Sequence, residues 1–597
     1  MNENKLFEKT NILTKLFTTK YKIITSFLVI FLINLFLFLG YNSHTMLFVD
    51  SSRELYIPMA MNDGGVLYKD IFNVYAPLAY QINALITSIF GENINTFFYA
   101  GFINSTLILW GLFLLVRFVV KVSSLYKISI ICLIMATCVY SISQTNYIFP
   151  YSYSLVYSLT AFIWSLVTIL YFIKKDNKKF LYLSFFLYGV SITCKYEFFP
   201  FIFVLLGICC YKKVSIKSLI IAFSLMLLTP LISLIDLFFR GVSFNDLKQA
   251  TNYIISLSKA KSVNILYTYL GFIPNLLSLK EIIINFAKFI GALSIFSIYY
   301  FLFLFFIKHT KEKVSAFYYF LTILIGIIPF FLSIKYLVPY LTESNAFYFS
   351  WIGIFVVILF LSKWKKILNN NQYLFIIFIS TISCSVKCIL NISFNSYGTY
   401  FFPLIFICCI LYYSEIELKS EEKPINTNRI IFLLFILLTT LLYSLSNINR
   451  QDLTFTDIKF PLYKGDVYPE KMYANSVLET IHYIKQNSQE QDRILVLPEG
   501  AMINFFTDRK SHNKFYYLIP PNIEVFGEDN IVKEMEKDLP EYLVIQPMSF
   551  ANFNETYFCE SFGKKICSLI PKYYEKPTVL GTNFWIAIYK KKEQNEK

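Results

Sequence analysis

Long apolar runs broken by short basic clusters fill the first 446 positions of the chain. A membrane-crossing helix needs roughly 20 mostly apolar residues. By that measure the pattern predicts about thirteen spans, near 23–40, 97–120, 128–142, 152–173, 180–194, 198–211, 219–237, 283–307, 316–334, 346–362, 373–390, 400–414 and 430–446. The third, fifth, sixth and twelfth are short. The basic stretches Lys15–Lys22, Lys121–Lys127, Lys174–Lys179, Lys212–Lys217, Lys308–Lys313, Lys363–Lys366 and Lys419–Arg429 all fall on one side of this alternation. Lysine and arginine concentrate in cytoplasmic loops, so that side is the cytoplasm. The N-terminus is then inside, and loop 41–96 and everything after 447 face outward. The remaining outward loops are 143–151, 195–197, 238–282, 335–345 and 391–399. No small-residue cleavage site follows the first apolar run, which reads as an uncleaved span.

Two outward loops are long. In 41–96 the pattern predicts two short helices lying along the membrane, over 51–62 and, after a proline start, over 76–90. Loop 238–282 is amphipathic, with Lys248, Lys259, Lys261 and Lys280. It is either a solvated surface or a lid over a site at the bilayer edge. After 447 the apolar runs shorten and charge rises. A helix is expected at 473–487, with Val477, Leu478, Ile481 and Ile484 on one face. A strand at Arg493–Leu497, a turn at Pro498–Gly500, a helix near 529–537 and strands at 541–546 and 583–590 complete a small α/β domain.

Composition agrees with the pattern. The 597 residues are 56% hydrophobic and 19% aromatic, with mean hydropathy +0.53, which excludes an ordinary soluble domain. The net charge of +15 is accounted for by the loop clusters, so nucleic acid is not an expected partner. Nine of the eleven cysteines lie in apolar spans, where cysteine is usually a small core residue. Cys559 and Cys567 lie in the polar tail and are placed to pair if that tail is outside the cytoplasm. Four histidines and no CxxC pair argue against a structural zinc site.

The candidate chemistry gathers in loop 41–96. Asp50 sits where the first span leaves the membrane, in VDSSRELY. Partial desolvation there favours a tuned general base, although any single aspartate is more often a surface group. Arg53 offers a fork for an anionic group; the plainer reading is an ion pair with Asp50 or Glu54. In GGVLYKDIFNVYAP, Gly64 and Gly65 suggest a turn. Lys69 and Asp70 are adjacent charges among tyrosines that otherwise suit a headgroup belt.

These features resemble the GT-C superfamily of membrane glycosyltransferases. An acid stands just after the first span, with an arginine three residues on. A helix ends in Gly-Gly, and LYKDIFNVYAPLAYQ runs into a second helix. The resemblance is nearest to the bacterial protein O-mannosyltransferase and aminoarabinose-transferase-like branch, glycosyltransferase family 39-like. SITCKYEFFPF at 191–201, SVKCILNISFNSYGTYFFPL at 385–404 and LVLPEGAMINFFTDR in the tail also match loosely. The resemblance implies a polytopic α-helical membrane protein of GT-C fold, 1–446, with a small C-terminal extracytoplasmic α/β domain, 447–597. It implies a sugar donor on a polyprenyl phosphate or diphosphate, an acceptor that is a lipid, glycan or protein, and inverting transfer with Asp50 as base. Asp70 is a second catalytic candidate. Arg53, Glu54, Lys69, Lys195, Lys387 and Tyr397 are candidates for holding substrate or phosphate, with Tyr400 nearby.

The sequence departs from the family pattern where Ser51 follows Asp50 and where Tyr75-Ala76 precedes Pro77. No DxD motif stands in the loop. No cofactor is required, and a single divalent cation on Asp50 or Asp70 is the weaker alternative. Glu499, Asn504 and Arg509 form either ordinary α/β punctuation or a polar surface for an acceptor. The competing function classes are a transporter or flippase of lipid-linked saccharides and a non-catalytic membrane scaffold. A bacterial cytoplasmic membrane is the expected location, inferred from the Ile, Lys, Asn and Phe bias.

Overall fold

The structure, a computed structural model, describes residues 19–41, 50–120, 124–135, 146–269, 346–390, 399–412 and 460–593, apart from short gaps at 463, 468–470, 512–513 and 583 and a few isolated positions elsewhere. The spans expected near 283–307, 316–334 and 430–446 lie outside the described residues, as does Tyr397.

The helices begin with α1 (Thr19–Leu39), α2 (Asp50–Asn62), α3 (Leu78–Phe90), α4 (Ile94–Val119), α5 (Ser124–Ile134), α6 (Tyr153–Lys175) and α7 (Lys178–Cys194). They continue with α8 (Phe201–Tyr211), α9 (Ile216–Phe239), α10 (Phe244–Lys259), α11 (Lys261–Tyr269), α12 (Ala346–Asn370), α13 (Gln372–Leu390) and α14 (Phe402–Tyr412). Among the described residues, α4, α6 and α9 are long and apolar enough to cross a membrane. Other apolar stretches, such as those in α1, α8, α13 and α14, are shorter. Helix α12 runs on through the basic cluster at 363–366, so it is longer than the apolar pattern predicted.

Small hydroxyl residues hold the bundle together. Ser158 and Ser165 on α6 meet Ser191 and Ser184 on α7. The Ser158 Oγ donates to the Ser191 carbonyl at 2.7 Å, and the Ser165 Oγ to that of Ser184 at 2.8 Å. The pairs are two turns apart on antiparallel helices, so one stripe of serine brings the two backbones close, as small residues do between membrane helices. On α1, buried Asn34 donates to Thr106 Oγ1 of α4 at 2.9 Å. Where apolar side chains gain nothing by leaving lipid, such bonds supply the specificity.

The C-terminal segment forms a hairpin, β1 (Phe460–Leu462) with β2 (Gly465–Val467), then α15 (Ala474–Asn487), β3 (Ile494–Leu497), α16 (Met502–Thr507), α17 (Pro520–Phe526) and α18 (Glu528–Lys537). It ends with β4 (Tyr542–Ile545), α19 (Lys564–Cys567), α20 (Leu569–Tyr573), β5 (Thr578–Leu580) and β6 (Ile586–Lys590). The four-stranded sheet has the order β3-β4-β6-β5; β3 and β4 are parallel and the other pairs antiparallel. The runs ILVL and YLVI read as continuous apolar strands because both faces are covered. Ile494, Val496 and Val544 face α15 with Val477, Ile481 and Ile484, while Leu495, Leu497, Leu543 and Ile545 face Phe526, Ile531 and Met535. Cys559 and Cys567 form a disulfide, with Cα atoms 5.6 Å apart.

The first of those two cores is continuous with the core of the helical bundle. The second takes in Phe72 from the 41–96 loop and packs against Tyr253, Leu257 and Leu266 of α10 and α11. The tail is therefore seated on the bundle rather than set apart from it. Helix α10 leaves no residue fully buried, but its Tyr253 ring lies 4.7 Å from Phe526. Glu524 of α17 caps the start of α11, accepting from the backbone of Lys261 at 2.6 Å and of Ser262 at 2.9 Å.

Candidate active site

Helix α2 starts at Asp50, where an acid favours a helix N-terminus. It ends at a turn that only glycine suits: Gly64 has φ +89°, and a Cβ on Gly65 would lie 2.6 Å from the Ala60 carbonyl oxygen. The sequence pattern placed α2 along the membrane. Instead every residue from Ser51 to Met61 is buried, because the bundle lies on one side and the C-terminal segment covers the other. Tyr56 Oη accepts from the Ser511 backbone at 3.0 Å, its ring lies 5.0 Å from that of Tyr516, and Lys510 Nζ donates to the Asp63 carbonyl at 2.9 Å.

Three charges meet on this helix. Arg53 Nη1 lies 2.8 Å from Asp50 Oδ1, and Arg53 Nη2 lies 3.7 Å from Glu54 Oε1. The Asp50 side chain keeps 28% of its surface, Arg53 keeps 8% and Glu54 none. Glu54 accepts from Tyr80 Oη at 3.1 Å and from the Tyr153 backbone at 3.1 Å. Burial pushes the Glu54 carboxyl up to about 6 even though Arg53 and these two donors pull it down. For Arg53, burial works against the charge, but Tyr75, Tyr80, Asp50 and Glu54 outweigh it, so the guanidinium stays cationic. Both ion pairs of the plainer reading exist, yet they leave Arg53 Nε and Nη2 buried without a hydrogen-bond partner among the described residues. An unmade bond of this kind is expensive for a charged group.

The Glu54 network is worth testing for stability alone. Glu54→Ala would strand Arg53, Tyr80 Oη and the Tyr153 amide, and breaking a buried ion pair costs about 3–5 kcal/mol. The expected outcome is a large drop in the folded protein recovered in detergent and in its unfolding temperature, whereas Glu54→Gln keeps part of it.

The turn from 64 to 77 brings an aromatic ring to Arg53. Tyr68 Oη donates to the Tyr75 carbonyl at 2.6 Å, and Asn73 Nδ2 donates to the same oxygen at 2.8 Å. The Arg53 guanidinium carbon lies 4.4 Å from the centroid of the Tyr75 ring, and Lys195 Nζ lies 5.4 Å from it. Cations over an aromatic face are held electrostatically. Lys195, at the C-terminal end of α7, thus joins Arg53 at one ring. Two residues on, Glu197 accepts from Tyr400 Oη.

Lys69 and Asp70 do not join this group. The segment 66–71 folds back on itself, with Ile71 donating to the Val66 carbonyl. Asp70 is exposed and accepts from the Val66 backbone at 3.0 Å, closing its own turn. Lys69 is exposed as well. Lys387 lies on α13, and its side chain is outside the described residues.

The C-terminal segment supplies a residue that sequence reasoning grouped with others. Asn504 Nδ2 donates to the carbonyls of Ile494 and Arg509, and Arg509 Nη2 donates to that of Ser488, so both are structural. Glu499 is different. It stands just beyond the C-terminal end of β3, the edge where parallel sheets commonly present ligand-binding groups. Its side chain keeps some exposed surface but is closely surrounded by protein. Burial pushes its carboxyl up to about 8, Asp50 adds to the rise and Arg53 opposes it. The Pro-Glu-Gly turn after an apolar strand was the available signal; its proximity to Asp50 was not.

Between about pH 4.5 and 8 the folded protein holds a proton on Glu499 that the unfolded chain releases. That stability is complete in acid and is lost as pH rises through this window, with a slope of at most about 1.4 kcal/mol per pH unit. Glu54 acts in the same direction between about 4.5 and 6. Thermal unfolding from pH 6 to 8 is expected to show a smaller decline in Glu499→Gln than in the wild type; equal declines would refute the assignment.

An open cavity of about 540 Å³ lies between Tyr253, Lys514, Phe526, Lys533 and Lys537. None of its lining residues carries an unpartnered buried polar atom, whereas those around Arg53 do. Among the described residues no group of three His, Cys, Asp or Glu is placed to hold a metal ion.

The bundle and its polar edge define a helical membrane-protein fold in which charges collect at one end under the C-terminal segment. No protein-family model matches the sequence, and no curated protein matches it. Among solved structures the chain is similar to ArnT from Cupriavidus metallidurans in the apo state. The TM-score is 0.50 at 10% identity, over 95% of this chain and 96% of that one. It is also similar to ArnT from the same organism bound to undecaprenyl phosphate (TM-score 0.49, 10% identity, 96% and 98% covered). A third similarity is to the Archaeoglobus fulgidus oligosaccharyltransferase in the apo form (TM-score 0.47, 11% identity, 97% and 76% covered). The chain shares its overall fold with that apo ArnT structure.

Proposed function

We propose that this protein is an integral-membrane glycosyltransferase that takes a sugar from a polyprenyl-phosphate-linked donor at the outer face of a bacterial cytoplasmic membrane. The observation that carries the reading is Arg53: a buried cation, fixed by two carboxylates, with its Nε and Nη2 unpartnered among the described residues, beside a partly exposed aspartate. Such a fork suits the oxygens of a phosphate. The shared fold with ArnT supports the same reading.

In this account the phosphate lies on Arg53 Nε and Nη2, with Lys195 beside the same Tyr75 ring. The acceptor hydroxyl meets Asp50. Its oxygen attacks the anomeric carbon as the bond from that carbon to the phosphate oxygen breaks. The hydroxyl proton passes to the Asp50 carboxylate, and the bond electrons leave with the lipid phosphate, which gains one negative charge. Arg53 stabilises that developing charge in a water-poor setting, where fixed cations act most strongly. Attack opposite the leaving group inverts the anomeric centre. Glu54 holds Arg53 and stays out of the transfer.

The test is transfer in reconstituted vesicles. Purified protein is supplied with undecaprenyl-phosphate monosaccharides and mixed acceptors, and release of bare undecaprenyl phosphate is followed. Release that depends on Asp50 supports the reading. Movement of intact donor across the bilayer with no release would replace it by a transporter.

A further inference from the structure

We propose that the C-terminal segment reads the sugar of the donor: Glu499, Tyr516 and Gln546 form the wall that contacts its hydroxyls and so sets which sugar is accepted. This rests on the glycosyltransferase reading and adds to it a specificity-determining role for residues far along the chain.

Three independent observations converge on this wall. Tyr516 is buried against Tyr56 of α2, in the electrostatic neighbourhood of Arg53 and Tyr80, and its hydroxyl has no partner among the described residues. Gln546, just beyond the end of β4, is 1% exposed, and both its amide oxygen and its amide nitrogen are unpartnered there too. It lies directly under the Glu499-Gly500 turn, since a Cβ on Gly500 would run into its amide nitrogen. Glu499 feels both Asp50 and Arg53, so it lies within reach of the proposed phosphate site.

Buried polar atoms are nearly always satisfied; several exceptions among the described residues lie within the helical bundle, but those of Arg53, Tyr516 and Gln546 belong to α2 and the C-terminal segment that covers it. Their chemistry is mixed: an amide that donates and accepts, a phenol that does both, and a carboxyl group. A phosphate wants donors only, and a polyprenyl tail wants none. A sugar hydroxyl both donates and accepts, and it matches this set. Arg53 would then hold the phosphate, and the wall beside it would hold the ring attached to that phosphate. Sites built to bond a substrate hydroxyl reject analogues lacking it strongly, because their own buried groups are left unpaired.

The experiment measures binding of two probe types to the full-length protein in nanodiscs: bare undecaprenyl phosphate, and undecaprenyl phosphate carrying a neutral hexose, a pentose or an amino sugar. At least one sugar-bearing probe is expected to bind about tenfold or more tighter than the bare lipid. Glu499→Gln and Gln546→Leu should each remove most of that advantage while leaving bare-lipid binding unchanged. Tyr516→Phe, which deletes one oxygen, serves if either variant fails to fold. If bare undecaprenyl phosphate does not bind the wild type, the glycosyltransferase reading itself fails. If it binds but no sugar adds affinity, or the advantage survives all three substitutions, this inference alone is overturned.

Discussion

Asp50→Asn is expected to lower sugar transfer by about a hundredfold or more, the usual contribution of a positioned general base, while membrane insertion stays intact. Asparagine keeps the size of the side chain and can still accept from Arg53 Nη1, which lies 2.8 Å from Asp50 Oδ1 in the wild type. What it loses is the ability to take the acceptor's proton. The three charges of α2 differ in what they can do. Glu54 has no exposed surface and is saturated by Tyr80, Tyr153 and Arg53. Asp50 keeps 28% of its side-chain surface and is the one of the two that an acceptor can approach. The loss should appear in kcat with little change in binding of undecaprenyl phosphate. Undiminished transfer would remove Asp50 from the mechanism.

Arg53→Lys is expected to be nearly as damaging, for a different reason. Charge is kept, but the fork is lost. A lysine ammonium can pair with Asp50 or reach toward a phosphate, and it lacks the fixed planar set of donors that does both. Removing one preorganised donor from a site of developing negative charge costs about a hundredfold or more in rate. Here the same change also weakens ground-state binding of the lipid phosphate. The signature that separates this variant from Asp50→Asn is therefore a fall in affinity for bare undecaprenyl phosphate together with the fall in rate. If Arg53→Lys binds that lipid as the wild type does, Arg53 is a structural ion-pair partner and nothing more.

Local patterns made much of this molecule legible. An acid at the start of α2 and two glycines after it marked a helix whose observed bounds differ by one residue at its start. Val477, Ile481 and Ile484 marked the buried face of α15, and ILVL and YLVI marked strands covered on both sides. What stayed hidden depended on residues distant in sequence. Mixed charge over 51–62 reads as an interfacial helix only if nothing covers it, and the covering is Ser511 and Tyr516, more than 450 positions later. The full burial of Glu54, a candidate for holding substrate or phosphate, was hidden for the same reason. Asp70 and Lys69 looked like site residues because they are adjacent charges, but a turn that bonds to itself sends them outward. Glu499 read either as an ordinary strand-to-turn junction or as part of a polar surface for an acceptor, and nothing local placed it near Asp50. The serine stripe of α6 and α7 has no polar signature at all within two apolar runs.

The most direct measurement is an experimental structure of the full-length protein in nanodiscs with undecaprenyl phosphate. Phosphate density is expected within hydrogen-bond distance of Arg53 Nε and Nη2, beside Asp50. Phosphate density elsewhere, with Arg53 still engaged only by Asp50 and Glu54, would contradict it.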